Sequence, residues 1–511
     1  MSREVTLRIT NVNTYVESSL DSMTYQNFKK VMGFRDDKAM WRARKVQEKL
    51  ESQGKNASWV KKWDGTQTTV VYDKKTRKSY FPTGLLSRAR EFFGDCEFDI
   101  NLVDQRTQVH RSTGYSMSEE YEPRDYQGKI RDDACNKGRG IIKMATGGGK
   151  TATAASIISE LAVDPTIFYV TSKDLLKQAR DEFQRFIYLN GSPVKVGTVG
   201  DGQFDLQPIT IMTVQTAIRA LGERWTRFDE EDDSAKTEKQ KLNEKQKKEL
   251  KDFIRGAGLM MCDEVQHWAA KTCQTISSAS ESARYRFGLS ATPWRDEGDD
   301  MLIDSCFGKA ICDISASFLI DRGYLIKPTI YFVHHKKPGM EGAYPTVYQE
   351  GIVENQERNL LISNISRKMV DSGRQALILV RIVEHGNILE AMTPDSFFIH
   401  GSHTGKQREA WIDKMRNREA PITIATSIFD EGVDVKCLDS LVLAGSGKSQ
   451  TRALQRVGRV LRPFTDKSSG FVKKDAFVVD FHDNMKYMLA HSRKRRKIYD
   501  TEPAFEIKDW K

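Results

Sequence analysis

Residues 140–162 read GIIKMATGGGKTATAASIISELA: an apolar run, a glycine-rich turn closed by Lys150-Thr151, then an apolar helical pattern. A buried strand that passes through small residues into a helix turns backbone N–H groups inward around an anion, and the helix N-terminus adds partial positive charge. Thr146, Gly147, Gly148 and Gly149 make the turn, Lys150 is placed to neutralise phosphates, and the Thr151 hydroxyl is placed to meet Mg2+. The full glycine–lysine pattern wants glycine at position 144, where this chain has Met144.

The expected partner lies downstream. GLMMCDE is a second apolar strand, ending in Asp263-Glu264. One carboxylate for Mg2+ and a neighbouring one for an attacking water is what phosphoryl transfer from ATP requires. The expected cofactors are therefore ATP and Mg2+, with Thr151 and Asp263 as the metal-facing pair.

A second glycine–lysine loop, AGSGKSQ at 444–450, also sits between an apolar strand (SLVLA) and a helix. It has Val442 in place of the leading glycine, and a later strand, FVVDF, supplies Asp480 with no carboxylate directly after it. The helix that follows carries Arg456, Arg459 and Arg462, which at every third position share one face. Guanidiniums in a row suit phosphates held elsewhere. The expectation is one ATP site, at the first loop, with this helix supplying arginine fingers across a cleft between two halves.

Short apolar runs that end in Gly, Ser, Thr or Asp and lead into helical stretches mark a parallel sheet wrapped by helices. They recur in two blocks: GIIKMA, TIFYVTS, ITIMT, LMMCDE and RFGLSAT, then ALILVR, SFFIHG, ITIAT, SLVLAG and AFVVDF. Before them, EVTLRIT, TQTTVVYD and CEFDINLV read as strands, and KAMWRARKVQEKLES and GLLSRAREFF as helices. Polar residues 104–119 read as a linker, the acidic-then-basic stretch 229–253 as a solvated helical excursion, and HSRKRRKIYD as a basic, solvated end segment. The predicted class is α/β: a small α+β N-terminal domain (1–110), then two parallel-sheet domains (111–320 and 321–511).

Composition narrows the class. The chain has 511 residues, 39% hydrophobic and 29% charged, with 80 Lys plus Arg against 70 Asp plus Glu for a net charge of +10. No apolar run approaches the ~20 residues that span a bilayer, and the charged start MSREVTLRITNV gives no export signal, so no membrane is expected. Seven scattered cysteines without close pairs argue against a disulfide framework or structural metal and fit a reducing cytoplasm. The basic excess is compatible with a nucleic-acid partner.

Taken in order, Arg124-Asp125-Tyr126-Gln127, Ala145 to Thr151, Asp263-Glu264-Val265-Gln266, Ser290-Ala291-Thr292-Pro293, Thr426 to Asp434 and Gln455 to Arg462 resemble the motif series of superfamily 2 helicases, nucleic-acid motors with two RecA-like domains. The likeness covers roughly residues 120–485. WDGTQTTVVYDKKTRKSYFPTGLLSRAREFF and MMCDEVQHWAAKT further resemble the UvsW-type recombination helicases of tailed phages. That resemblance implies a DNA helicase remodelling branched or forked DNA (branch migration, fork reversal, R-loops with their RNA–DNA hybrid), acting as a monomer in a host cytoplasm.

By the same resemblance, Arg124 and Gln127 recognise adenine, and Ser290 and Thr292 link ATP state to grip on DNA. Gly432, Asp434 and Gln455 approach the nucleotide from the second domain, and Arg459 and Arg462 complete the site. Gln266 stands where near relatives often carry His, with His267 next to it. The resemblance also places Thr171, Gln178, Thr213, Gln215, Thr216, Arg381 and Thr426 along one strand's backbone, where hydroxyls and amides bind phosphates without reading sequence. Trp63 and its basic neighbours could hold duplex or anchor a core. Two other functions fit less of the pattern: an RNA helicase of the same superfamily, and a strand-annealing or scaffold protein with a vestigial ATPase.

Overall fold

The computed structural model describes residues 3–54, 56, 65–222, 242–293, 300–335, 340–426, 435–445, 447, 450–466 and 470–510. Two compact units emerge. One takes Met1–Lys143, Lys150–Phe228 and Gln240–Asp313; the other takes Met144–Gly149 and Ile314–Lys511.

The first unit begins with a five-stranded sheet in the order Val71–Asp73, Lys78–Pro82, Asn13–Val16, Arg3–Ile9, Phe98–Asp104. Val5, Leu7 and Ile9 alternate inward along Arg3–Ile9, as the period-2 pattern requires. Val5 and Leu7 pack with residues of helices Ser22–Val31 and Leu86–Asp95 in a cluster that includes Phe28, Phe81, Phe92 and Phe93. TQTTVVYD is not one strand. Thr66–Thr68 pairs with Gly33–Arg35 in a separate ribbon, and only Val71–Asp73 joins the main sheet.

An eight-stranded sheet follows in the order Gln203–Asp205, Val196–Gly200, Ile209–Thr213, Thr166–Val170, Leu259–Cys262, Tyr285–Ser290, Arg139–Met144, Ala310–Ile314. The pairs from Val196–Gly200 through Arg139–Met144 are parallel. All five strands expected here are present. The carboxyl ends of parallel strands are where such sheets bind ligands, so Asp263 and Ser290 of the first unit share one edge.

Residues 104–119 are more than a linker. Tyr115–Met117 pairs with Ile187–Leu189, Arg111 donates to the Tyr285 hydroxyl at 2.6 Å, and Ser112 and Tyr115 both bond Asp164. The N-terminal sheet is also joined to the later part of its unit. Asn11 donates to the Glu281 carbonyl, Arg139 donates to the Asn11 carbonyl, and a Cβ on Gly84 would fall 2.1 Å from the Asp304 carbonyl oxygen. Of the excursion 229–253, residues 229–241 lie outside the described residues. Glu244–Gly256 is a helix with a capping box between Asn243 and Gln246.

The second unit holds a seven-stranded sheet, Ser396–Ile399, Ile422–Ala425, Ala376–Leu379, Ser440–Leu443, Ala476–Asp483, Pro328–His335, Glu506–Asp509, parallel in every pair. Here the basic end segment corrects the expectation of a solvated tail: it forms the helix Met488–Tyr499, with Arg495 and Tyr499 buried. Among the described residues, no helix is long and apolar enough to cross a membrane.

Candidate functional site

At the first loop, Gly147 and Gly149 have φ of 82° and 83°, a region that glycine enters without the cost a Cβ brings. Gly148 donates to the Ala145 carbonyl at 3.0 Å, and Ala145 donates to that of Ile314 at 2.8 Å. Met144, at the position expected to be glycine, is fully buried. Its side chain lies beneath the turn, so a Cβ on Gly148 would stand 2.4 Å from Met144 Cγ. Thioether packing thus occupies the space that a leading glycine leaves open. Lys150 starts the helix Lys150–Leu161, whose inner residues Ala154, Ala155, Ile157 and Ile158 anchor it in the core. Turn, lysine and helix N-terminus together make a donor set that fits a phosphate chain with Mg2+.

Gln127 is buried and tied to that helix. Its amide donates to Thr153 Oγ1 at 3.0 Å and accepts from the Arg124 N–H at 2.8 Å, while the Arg124 guanidinium reaches the Tyr126 hydroxyl. The expected adenine-facing residues are therefore positioned by the turn of helix that follows Lys150.

Asp263 and Glu264 end the strand Leu259–Cys262. Asp263 N–H donates to the Tyr169 carbonyl of the neighbouring strand. Glu264 has φ of 50°, and its N–H donates to Asp263 Oδ1 at 2.9 Å. Gln266 then donates to Glu264 Oε2 at 2.7 Å and accepts from the Ser290 hydroxyl at 2.6 Å, and Thr292 N–H donates to Ser290 Oγ at 3.0 Å. The four residues form one relay between two adjacent strands. Gln266 and Ser290 are both buried, where hydrogen bonds carry more energy than in water.

The second loop has the opposite polarity. Arg358 donates to the Ala444 carbonyl at 2.9 Å, the Tyr348 hydroxyl to that of Gly445 at 3.0 Å, and Arg495 to that of Gly447 at 2.7 Å. These three carbonyls are therefore occupied as acceptors by two guanidiniums and a phenol hydroxyl. Asp480, the carboxylate that sequence pairs with this loop, is fully buried and gripped by Arg495 at 2.8 Å and by the Tyr499 hydroxyl at 3.0 Å. Asp483 is held likewise by Arg358 at 2.9 Å. Ser446, Lys448 and Ser449 lie outside the described residues. Sequence gave no sign of Arg358 and Asp483; they are far apart in the chain and follow no motif.

The arginine helix spans Gln450–Arg459, so Gln455, Arg456 and Arg459 lie on it, whereas Arg462 follows its end. The chain tightens there because Val460 N–H donates to Val457 C=O. Buried Lys473 then fixes the segment by donating to the Arg462 carbonyl at 3.0 Å. Within the second unit, which includes the loop Met144–Gly149, a Cβ on Gly458 would stand 2.7 Å from Thr146 Cβ. Only glycine allows that approach, a role that sequence reading missed. Gly432, Asp434 and Trp63 lie outside the described residues.

The predicted nucleic-acid residues are engaged locally. Thr213 donates to Thr216 at 2.8 Å, both of them buried, and Gln215 donates to the Thr171 carbonyl at 2.8 Å, so this group gathers at neighbouring strand ends. Gln178 bonds Glu182 one helical turn on. Buried Thr426 donates its N–H to the Ile399 carbonyl, and Arg381 donates to the Tyr344 hydroxyl at 2.6 Å.

Comparison with known proteins agrees with this layout. Residues 120–295 match the family described as "Type III restriction enzyme, res subunit", and residues 356–463 match "Helicase conserved C-terminal domain"; together these span more than half of the chain. The ATP-dependent DNA helicase uvsW of Enterobacteria phage T4 is 22% identical over 86% of this chain and 89% of its own. A Rad25-type protein of Halobacterium salinarum is 26% identical over 66% of this chain, which spans about half (52%) of that relative's length. The solved structure of S. cerevisiae Dbp5 bound to RNA and ADP BeF3 shares the fold, with a TM-score of 0.51 and 13% identity over 77% of this chain and 90% of that one.

Proposed function

This chain belongs to the superfamily 2 helicases, and from that premise we propose that it is an ATP-driven DNA translocase acting on branched or forked DNA in recombination and repair. The observation that carries the proposal is the relay Glu264–Gln266–Ser290–Thr292, because it links the carboxylate proposed for hydrolysis to a second motif. A likeness to a phage DNA helicase over nearly the whole chain supports DNA over RNA as the track.

In this proposal the N–H groups of Gly147 to Lys150 and the Lys150 ammonium hold the phosphate chain. The Thr151 hydroxyl and Asp263 hold the metal ion, and Gln127 with Arg124 holds adenine. Bound ATP with Mg2+ supplies the phosphoanhydride whose hydrolysis drives the cycle. Glu264, oriented through Oε2 by Gln266, positions the attacking water and takes its proton. Arg459 and Arg462 stabilise the charge that develops in the transition state, a contribution on the order of 10³-fold or more in such enzymes. Gly432, Asp434 and Gln455 contribute to the same site. Thr171, Gln178, Thr213, Gln215, Thr216, Arg381 and Thr426 face the track. In this proposal the first loop is the nucleotide site, and the bonded carbonyls of Ala444, Gly445 and Gly447 in the second support that choice.

The test is steady-state ATP hydrolysis at fixed salt with no nucleic acid, single-stranded DNA, duplex, a four-way junction or structured RNA, for wild type and Glu264→Gln. Junction-stimulated hydrolysis that is lost in the variant supports the proposal. Stimulation by RNA alone would reassign the track, and no hydrolysis under any condition would leave an annealing or scaffold role.

A further inference from the structure

At the carboxyl edge of the second sheet, the strand Ala476–Asp483 gives way to the helix Met488–Tyr499 through residues 484–487. The turn is centred on Tyr487, at φ 65° and ψ −43°, with Met488 N–H donating back to the Lys486 carbonyl at 2.8 Å. A γ-turn of this hand is strained for any residue with a Cβ, and glycine would hold it at lower cost. Burial does not offset the strain, because Tyr487 is 39% exposed. A bulky ring kept on a strained backbone without being buried is a mark of function.

The surroundings make the ring a firm platform. Tyr487 meets Tyr344 at 5.9 Å and 70°, and Tyr344 stacks on Tyr348 at 6.0 Å. Beneath them, Tyr348, Ile352, Val353, Met485 and Met488 form an apolar floor. Cations border it. Lys486 Nζ lies 5.3 Å from the Tyr487 ring centre, and Arg381 sits 5.2 Å over the Tyr348 ring while bonding the Tyr344 hydroxyl. Lys486 and the Tyr487 hydroxyl both reach the Gly342 carbonyl, at 3.3 and 3.5 Å.

We propose that Tyr487 is a base-stacking residue: its ring takes the face of an unpaired base in a single strand whose phosphates pass Arg381 and Lys486. The inference rests on the nucleic-acid function proposed above and adds to it a contact that senses bases, since the other residues expected at this edge contact only the backbone. Aromatic stacking tolerates any base and is lost when the bases are paired or absent.

The test compares binding of a fluorescent oligothymidylate and of the same strand with consecutive abasic sites, at one salt concentration, for wild type, Tyr487→Gly and Tyr487→Phe. Glycine suits the local φ, so Tyr487→Gly removes the ring without unfolding the turn, and its melting temperature serves as the check. The expected result is roughly five- to fiftyfold weaker oligothymidylate binding by Tyr487→Gly, near-normal binding by Tyr487→Phe, and the abasic strand bound equally by all three. Equal binding of oligothymidylate by wild type and Tyr487→Gly would overturn the inference and leave the translocase proposal standing. Failure of the wild type to bind either strand would also overturn the inference, while the translocase proposal stands or falls on junction-stimulated hydrolysis.

Discussion

The Gln266 amide stands between Glu264 and Ser290, donating to the carboxylate at 2.7 Å and accepting the hydroxyl's hydrogen at 2.6 Å. It is the one side chain in the relay that bonds both strands, and its two ends answer to different motifs. A shift of Ser290 must therefore reach the Glu264 carboxylate, and the reverse holds as well.

Cutting this link should uncouple hydrolysis from its track. Gln266→Ala is expected to keep basal ATP turnover within a few-fold but to lower DNA-stimulated turnover roughly tenfold or more, in line with one lost charge-assisted hydrogen bond. Gln266→His should retain most of the stimulation. Steady-state rates with and without DNA decide it, and an equal fall in both rates would count against the relay.

The two loops should respond oppositely to the loss of lysine. Lys150→Ala is expected to reduce ATP hydrolysis by about 10²-fold or more, the scale of a lost transition-state contact, whereas Lys448→Ala should leave it within about twofold. Nucleotide binding by equilibrium fluorescence would show whether the second loop takes any ligand.

Met144 crowds the space that a side chain at Gly148 would need. In Gly148→Ala the new Cβ would meet Met144 Cγ, and KM for ATP should rise several-fold. Adding Met144→Ala should recover part of that loss, because the obstacle is a flexible side chain. Measuring KM in both single variants and the double variant tests the coupling.

The buried pair Asp480–Arg495 should be a stability determinant of the second unit. Arg495→Ala leaves Asp480 in the interior without its guanidinium and held only by the Tyr499 hydroxyl and the Phe481 N–H, and breaking a buried ion pair in this way typically costs about 3–5 kcal/mol. Urea unfolding reads it, and the double change Asp480→Leu with Arg495→Met should restore part of the loss.

Acid sensitivity should pass through His385, which is fully buried against Asn359 Oδ1 at 2.9 Å. Burial first, and then the Arg358 charge, push it down from 6.5 to about 3. The folded protein keeps it neutral while the unfolded chain takes up a proton below about pH 6.5. Its effect is absent above that pH, and stability is lost as pH falls below it, at up to about 1.4 kcal/mol per pH unit until the folded value is reached. Unfolding free energies between about pH 7 and pH 5 should fall less steeply in His385→Gln than in wild type.

Much of the fold was legible because strands buried on both faces read as continuous apolar runs, and ten such runs mark ten strands of the two large sheets. Val196–Gly200 and Glu506–Asp509 were not, being short and broken by glycine or charge. The phosphate loop was legible from local spacing alone. The second loop has the same local spacing, and its polarity is set by Arg358 and Arg495, which reach it from other elements. The C-terminal helix was misjudged for a related reason: HSRKRRKIYD looks solvated until Asp480, on a distant strand, takes Arg495.

The seam at Gly84, where main chain meets the Asp304 and Ser305 carbonyls with no side chain between, carries a mechanical consequence. A module fastened backbone to backbone has no slack, so it behaves as part of the first unit's chassis and not as a trailer on a hitch. In the proposed translocase, the N-terminal sheet would therefore move as one piece with the rest of the first unit.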